Sequence, residues 1–364
     1  YALKNALVIK TRESKISNTK VLPETAYAFY IPWNNRTSAK IAASLLKKNV
    51  KVRYSKKNSA FGDIKLNMGD LIVLKSDNTK LPEFEKTMAG LLAEKNDYSV
   101  IKSGFSTDGT DLGGENFQLL KAPKILLLSG KNVSPTDFGQ VWFYMDQIID
   151  YPVSILDADY LGMINLTDYN TLILADGWYD LSDSQRKSID DFISKGGKTI
   201  AIQNALSLFE NREGYNLSQF ATNEEKDAAK KQSDEEALTS RFKEYQKTER
   251  RSVSNGVPGA IIENVLDKTH PLSYGLGDKY YSLKTSDKYF KVLKNVWNVA
   301  YVPENYKSYG FIGANLKKKL GNTVSFAVEP VGRGKIIYMI DNPLFRGFWE
   351  NGNLLFSNAL FLVD

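Results

Sequence analysis

Ile125-Leu-Leu-Leu-Ser-Gly130 is a short apolar run closed by glycine, and together with the residues after it this run constrains the fold more than any other stretch. Such a run reads as a strand buried on both faces, as parallel strands are. Ser134-Pro135 then opens a helix: Ser caps free N–H groups, and Pro at the first position loses no hydrogen bond. Phe138, Val141, Trp142, Met145, Ile148 and Ile149 recur at helical spacing and predict one buried face. Val153-Ser-Ile-Leu156 is the next strand. Strand, capped helix and strand make a βαβ unit, which sets a right-handed parallel sheet.

The same alternation continues. Thr171-Leu-Ile-Leu-Ala175 ends in Asp176-Gly177; Ser182-Asp-Ser-Gln185 is a capping box opening a helix that stops at Gly196-Gly197; Lys198-Thr-Ile-Ala-Ile202 is a fourth strand. The fold class this predicts is α/β, a doubly wound, flavodoxin-like parallel sheet over residues 116–364. Residues 211–255 interrupt it with a stretch dense in both charge signs, expected to be a solvent-exposed helical insertion or flap. Val324–Val328, Gly332-Arg-Gly and Lys335–Ile340 read as a hairpin, and Asn351–Leu362 as a closing amphipathic helix. Ahead of the sheet, residues 1–115 carry a possible edge strand at Ala6–Ile9. After it come strands near 26–32, 50–54, 69–74 and 98–101, with helices over 37–48 and 81–95 between them. Phe84, Met88, Leu91 and Leu92 are expected to face inward on the second helix. This βαββαβ order predicts a smaller α+β domain of ferredoxin-like type. Ser106–Glu115 reads as the linker.

Composition restricts the chemistry. The 364 residues contain no Cys and one His. That excludes disulfides, thiol nucleophiles and Cys-ligated zinc, and any site needing two imidazoles from this chain. The net charge of +6 is spread along the sequence without a compact basic stripe. It reads as a solvated surface, and no nucleic-acid partner is expected. No stretch approaches the roughly 18 apolar residues of a transmembrane helix. A start at Tyr1 rather than Met reads as a processed or excised piece.

In doubly wound sheets ligands bind at the carboxyl ends of the strands. The residues this places there are Ser129 and Lys131, Asp176, Gln203 and Asn204, and Asp341 and Asn342, a polar set without a nucleophile–base pair. Ordinary turn and cap roles are the competing reading. Ser129–Thr136 also has the form of a phosphate-binding loop at a helix N-terminus, although capping already explains Ser134-Pro135. His270, before Pro271, reads as a hydrogen-bonded turn residue ahead of a catalyst. Arg346 is expected to pair with Asp341, with anion binding as the alternative.

Several stretches together resemble a known region. They are Ile125–Gly130, Phe138-Gly-Gln-Val-Trp-Phe-Tyr-Met-Asp146, Tyr151-Pro-Val-Ser154, Pro258-Gly-Ala-Ile261, His270-Pro-Leu-Ser-Tyr-Gly-Leu276 and Asp341-Asn-Pro-Leu-Phe-Arg-Gly-Phe-Trp349. They are similar to the C-terminal, class I glutamine amidotransferase-like region of zinc carboxypeptidase-family proteins from Bacteroidetes-type bacteria. The small N-terminal domain resembles the segment joining that region to the peptidase. The resemblance implies an exported parent (periplasmic, outer-membrane-associated or secreted) that removes residues from peptide C-termini. It implies zinc held by an H-x-x-E pair and a later His in an upstream domain, since none of these maps here. It also implies a Cys near Gln203-Asn204-Ala205 and a His and Glu near Asp341-Asn342, and this chain has neither thiol nor imidazole there.

The expectation is therefore a non-catalytic accessory region of an exported zinc carboxypeptidase. It needs no cofactor of its own, and its partners are the upstream peptidase domain and a second copy in a possible homodimer. The alternative is a binding module for a small polar ligand, a sugar or peptide carboxylate, held by Ser129, Asp176, Asn204, His270, Asp341 and Arg346. A hydrolase built on Asp176, His270 and Asp341 is a third reading.

Overall fold

The computed structural model describes residues 26–93, 98–220, 224–225, 227, 230–231 and 248–364. The expected edge strand at Ala6–Ile9, the side chains of Leu91 and Leu92, and most of the charged insertion lie outside the described residues.

The first unit comprises β1 (Ala28–Ile31), α1 (Arg36–Lys47), β2 (Arg53–Ser55), β3 (Ser59–Phe61), β4 (Ile64–Leu66), β5 (Leu71–Leu74), α2 (Phe84–Ala93), β6 (Ser99–Ile101) and β7 (Phe117–Leu119). Its sheet runs β6-β1-β5-β2-β7, antiparallel throughout. The first four strands of that order are arranged as in a ferredoxin-like sheet. β3 and β4 form a separate hairpin. β7 pairs with β2 inside this sheet, so the first unit extends past the expected boundary at 115 to Leu119. Asn35 caps α1 by accepting from Thr37 N and Ser38 N, and Ile41, Leu45 and Leu46 turn inward as their spacing requires.

The second unit begins with β8 (Ile125–Ser129), α3 (Pro135–Phe143), β9 (Val153–Asp157), β10 (Thr171–Leu174), α4 (Asp183–Ser194) and β11 (Lys198–Ile202). It continues with α5 (Thr248–Asn255), β12 (Gly259–Leu266), β13 (Lys279–Lys284), β14 (Phe290–Lys291), β15 (Trp297–Val302), β16 (Ser308–Phe311), α6 (Ala314–Lys319), β17 (Thr323–Val331), β18 (Gly334–Met339) and α7 (Glu350–Phe361). Five strands, β9-β8-β10-β11-β18, are parallel neighbours. Counted in chain order they run 2-1-3-4-5, the flavodoxin-like arrangement. The chain steps one way from β8 to β9 and the other way from β10 to β11. Right-handed crossovers then put α3 and α4 on opposite faces.

The expected doubly wound parallel sheet is only part of a larger mixed sheet, in which the expected hairpin is β17–β18. Beyond β18 the sheet continues antiparallel through β17, β15, β12 and β13. β12 alternates half-buried and buried along its length, the pattern of an antiparallel strand with one face solvated.

Trp142 is also corrected. It is 47% exposed, whereas Tyr144 is buried. The helix passes from α into a π turn over Tyr144–Ile148, and the added residue rotates the following side chains about the axis. Tyr144, where that turn begins, reaches Ser357 and the carbonyl of Asn353 on α7.

The two units share one hydrophobic cluster, which runs from Phe29 and Trp33 through the parallel strands to Phe361. Asn358 on α7 is the polar joint. Its Oδ1 accepts from Trp33 Nε1 at 2.5 Å, and its Nδ2 donates to Leu272 O and Tyr274 O. Tyr54 donates to Leu362 O at 3.2 Å.

Candidate functional site at the carboxyl edge of the sheet

In a 2-1-3-4-5 sheet the crevice opens between the first and third strands, here β8 and β10. The loops leaving these strands are laced together. Val133 and Gly177 form a β-bridge, Ser134 N donates to Asp176 O at 2.8 Å, and Trp178 N donates to Asn132 O at 2.9 Å. A Cβ on Gly177 would lie 2.7 Å from Val133 Cα, so only glycine permits this approach. The helix N-terminus beside it is also satisfied from within: Ser134 Oγ accepts from Asp137 N and donates to the Asp137 carboxylate at 2.5 Å. An incoming phosphate would meet that carboxylate, which argues against the phosphate-loop reading.

Next to this seam lies the turn after β11. Gln203 sits there with φ of 49°, the left-handed region that a non-glycine residue rarely occupies. This is the sharp elbow on which strand–helix enzymes of this shape place a nucleophile. Gln203 instead donates its Nε2 to Thr285 Oγ1 at 3.3 Å. The following N–H, on Asn204, is the donor an oxyanion would use; it gives its hydrogen bond to Asp176 Oδ1 at 2.8 Å. Burial pushes the Asp176 carboxyl above its usual range; the Asn204 N–H pulls it back and the charge of Asp137 adds to the rise.

Asp341, after β18, is buried and pairs with Lys284 at the end of β13, Nζ to Oδ1 3.2 Å. The same ammonium donates to Lys288 O at 2.6 Å. Asn342 donates to Asp137 Oδ1 and Gln140 Oε1 at 2.7 and 2.8 Å, and accepts from Leu344 N. Above them the 285–289 segment crosses the elbow. Lys288 pairs with Glu210 at 3.1 Å, and its ammonium lies 5.7 Å from the Trp178 ring and 5.6 Å from the Phe290 ring.

Asp176 and Asn204 thus come together, with Asp341 and Asn342 on the same edge. Ser129 ends β8 on that edge in register with Asp157, with β10 between it and β11. Lys131 lies on the exposed loop after it. His270 does not belong to the group. β12 runs antiparallel to β15, and β15 to β17, so the loop after Leu266 emerges at the amino edge of the parallel strands. There His270 Nδ1 accepts from Leu272 N at 3.1 Å, and its ring lies 5.7 Å from that of Trp297. Burial holds its pKa down to about 4, with Asp267 opposing and Lys335 reinforcing. The Asp176–His270–Asp341 hydrolase therefore lacks its base. Arg346 is exposed and stacks on Phe345 at 5.1 Å; the partner of Asp341 is Lys284 instead.

Lys284, Lys288, Glu210 and Trp178 complete the site and were not anticipated. One signal was present: Tyr280, Ser282 and Lys284 share the buried phase of an alternating strand, and a lysine in such a slot calls for a buried acid. Among the described residues no three His, Cys, Asp or Glu side chains gather to hold a metal ion. Among the described residues, sizeable clefts lie elsewhere. One of about 400 Å³ includes Leu166 and Phe192, and one of about 390 Å³ includes Pro123 and Tyr151, both at the amino edge. A third, of about 340 Å³, lies between the units beside Trp33 and Tyr274.

No family model matches this chain, and no curated protein matches it. Similar solved structures include a ThuA-like protein from Bacteroides uniformis, 14% identical over 66% of this chain and 91% of that one, TM-score 0.41. Another is described as a GMP synthase subunit from Thermoplasma acidophilum, 10% identical over 66% and 94%, TM-score 0.39. A third is a β-galactosidase from Bacillus circulans, 10% identical over 65% and 30%, TM-score 0.30. At these scores the fold assignment rests on the strand order itself: the second unit is a mixed α/β sheet with a flavodoxin-like parallel half.

Proposed function

We propose that this chain is a non-catalytic interaction module. In its parent polypeptide it would accompany an exported zinc carboxypeptidase domain, packing on it and shaping access to its cleft. The observation that carries the non-catalytic reading is the filled elbow: Gln203 stands at the nucleophile position, and Asp176 takes the Asn204 N–H. A retained reaction would need that donor free and an activated nucleophile beside it. The association with a peptidase rests on the sequence resemblance alone. The zinc it implies does not fit this chain, whose one imidazole is occupied as a cap, so it belongs to the upstream domain.

The test has two parts. The 364-residue chain should hydrolyse neither glutamine nor peptides; turnover abolished by Asp176→Asn would overturn the non-catalytic reading. The gene should encode, upstream, an export signal and a domain with H-x-x-E and a later His. Deleting residues 26–364 from that protein should then change its hydrolysis of long peptides more than of short ones. A gene without the peptidase, or identical hydrolysis with and without the module, would remove the accessory role.

A further inference from the structure

The turn from Leu344 to Trp349, between β18 and α7, lies against the side of α3 and carries an exposed aromatic patch. Phe345 and Phe348 pack edge to face with centroids 6.1 Å apart, and Phe348 lies 5.9 Å from Trp349. Gly347 passes so near α3 that a Cβ on it would sit 3.2 Å from the Phe143 ring. Phe348 is 58% exposed and Phe143 44%. Soluble surfaces rarely gather large aromatics in this way without a use for them.

Arg346 stands in the middle of this patch. Its backbone is held left-handed, φ 51° and ψ 18°, where a residue with a Cβ is seldom found. Its guanidinium stacks 5.1 Å from the Phe345 ring. Among the described residues no carboxylate pairs with it; the acid that comes next in sequence, Glu350, is held by Arg36 at 3.1 Å. An exposed cation without a counter-charge among the described residues, lying over the Phe345 ring, has two complementary requirements. The guanidinium fork matches a carboxylate through two parallel hydrogen bonds. The rings beside it offer faces to an apolar side chain.

The geometry points to a recognition site, centred on Arg346 and walled by Phe345, Phe348 and Phe143, for a carboxylate presented beside an apolar side chain, as at the C-terminal end of a peptide. The site lies outside the laced crevice and does not depend on what the module is attached to.

Titration calorimetry of the 364-residue chain with the tripeptide Gly-Phe-Leu, and with its C-terminal amide, tests it. The free acid should bind at least tenfold more tightly than the amide. Arg346→Gln should remove that preference with the circular dichroism spectrum unchanged, and Phe348→Ala should weaken both peptides. Equal affinity for acid and amide, no heat at millimolar peptide, or an acid preference that survives Arg346→Gln would overturn the proposal. Vesicles of anionic phospholipid that bind the chain through Arg346 while the peptide does not would overturn it in favour of a lipid headgroup.

Discussion

His270 illustrates how a lone imidazole is used when chemistry does not claim it. It spends Nδ1 on the backbone of Leu272 and rests near Trp297, and burial holds its pKa down to about 4. The unfolded chain takes up the proton near the ordinary value of about 6.5. A group with a depressed folded pKa contributes stability that is present above 6.5 and is lost as pH falls from 6.5 towards 4. The loss is on the order of 3 kcal/mol. His270→Asn keeps an acceptor for the Leu272 N–H and removes the titration. Urea unfolding at a series of pH values should show the wild-type chain losing stability over that window and His270→Asn losing less. Parallel profiles would mean that the imidazole titrates normally in the fold. Sequence indicated the turn role, because His-Pro before a short apolar run is a local signal. It did not indicate the edge on which the turn lies, which depends on how many antiparallel steps separate β12 from the parallel strands.

At the scale of elements, Lys284 and Asp341 fasten the end of β13 to the loop after β18 across 57 residues of sequence. Both are nearly fully buried, so the pair is worth little against an apolar replacement but much against the loss of one member. Lys284→Met should cost about 3–5 kcal/mol by leaving an unpaired buried carboxylate. Lys284→Met with Asp341→Leu should recover most of that loss, and the coupling can be read from a double-mutant cycle of denaturant midpoints. A double change that costs the sum of the two single changes would mean the pair is not a unit. The contrast in legibility is physical. The βαβ unit at 125–157 and the caps at Ser134 and Ser182 are written in neighbouring residues, and sequence periodicity displays them. The pairings of β12, β13 and β15, the partner of Asp341 and the strap that Lys288 lays over the elbow are made between distant segments. The face of this helix that turns inward is the one carrying Val141, Tyr144 and Met145, with the Tyr144 hydroxyl bonded to α7, so Trp142, placed inward by apolar spacing, faces out.

At the scale of the molecule, the two sheets are joined by a continuous apolar cluster and by the hydrogen bonds of Asn358. Units that share a core lose it together. Tryptophan fluorescence, which includes the buried Trp33, and far-ultraviolet circular dichroism should therefore report one coincident urea transition. Two separated transitions would show that residues 26–119 hold their fold without α7. The same joint sets an order of events during synthesis. Trp33 and Asn358 are 325 residues apart, and translation at about 5–20 residues per second puts roughly 16–65 seconds between their appearances. The first sheet leaves the ribosome with its docking flank bare and keeps it bare until α7 arrives. A chain that stops short of α7 would carry that flank exposed and sticky, so the arrival of α7 is the step that the cell's folding helpers have most to gain by awaiting.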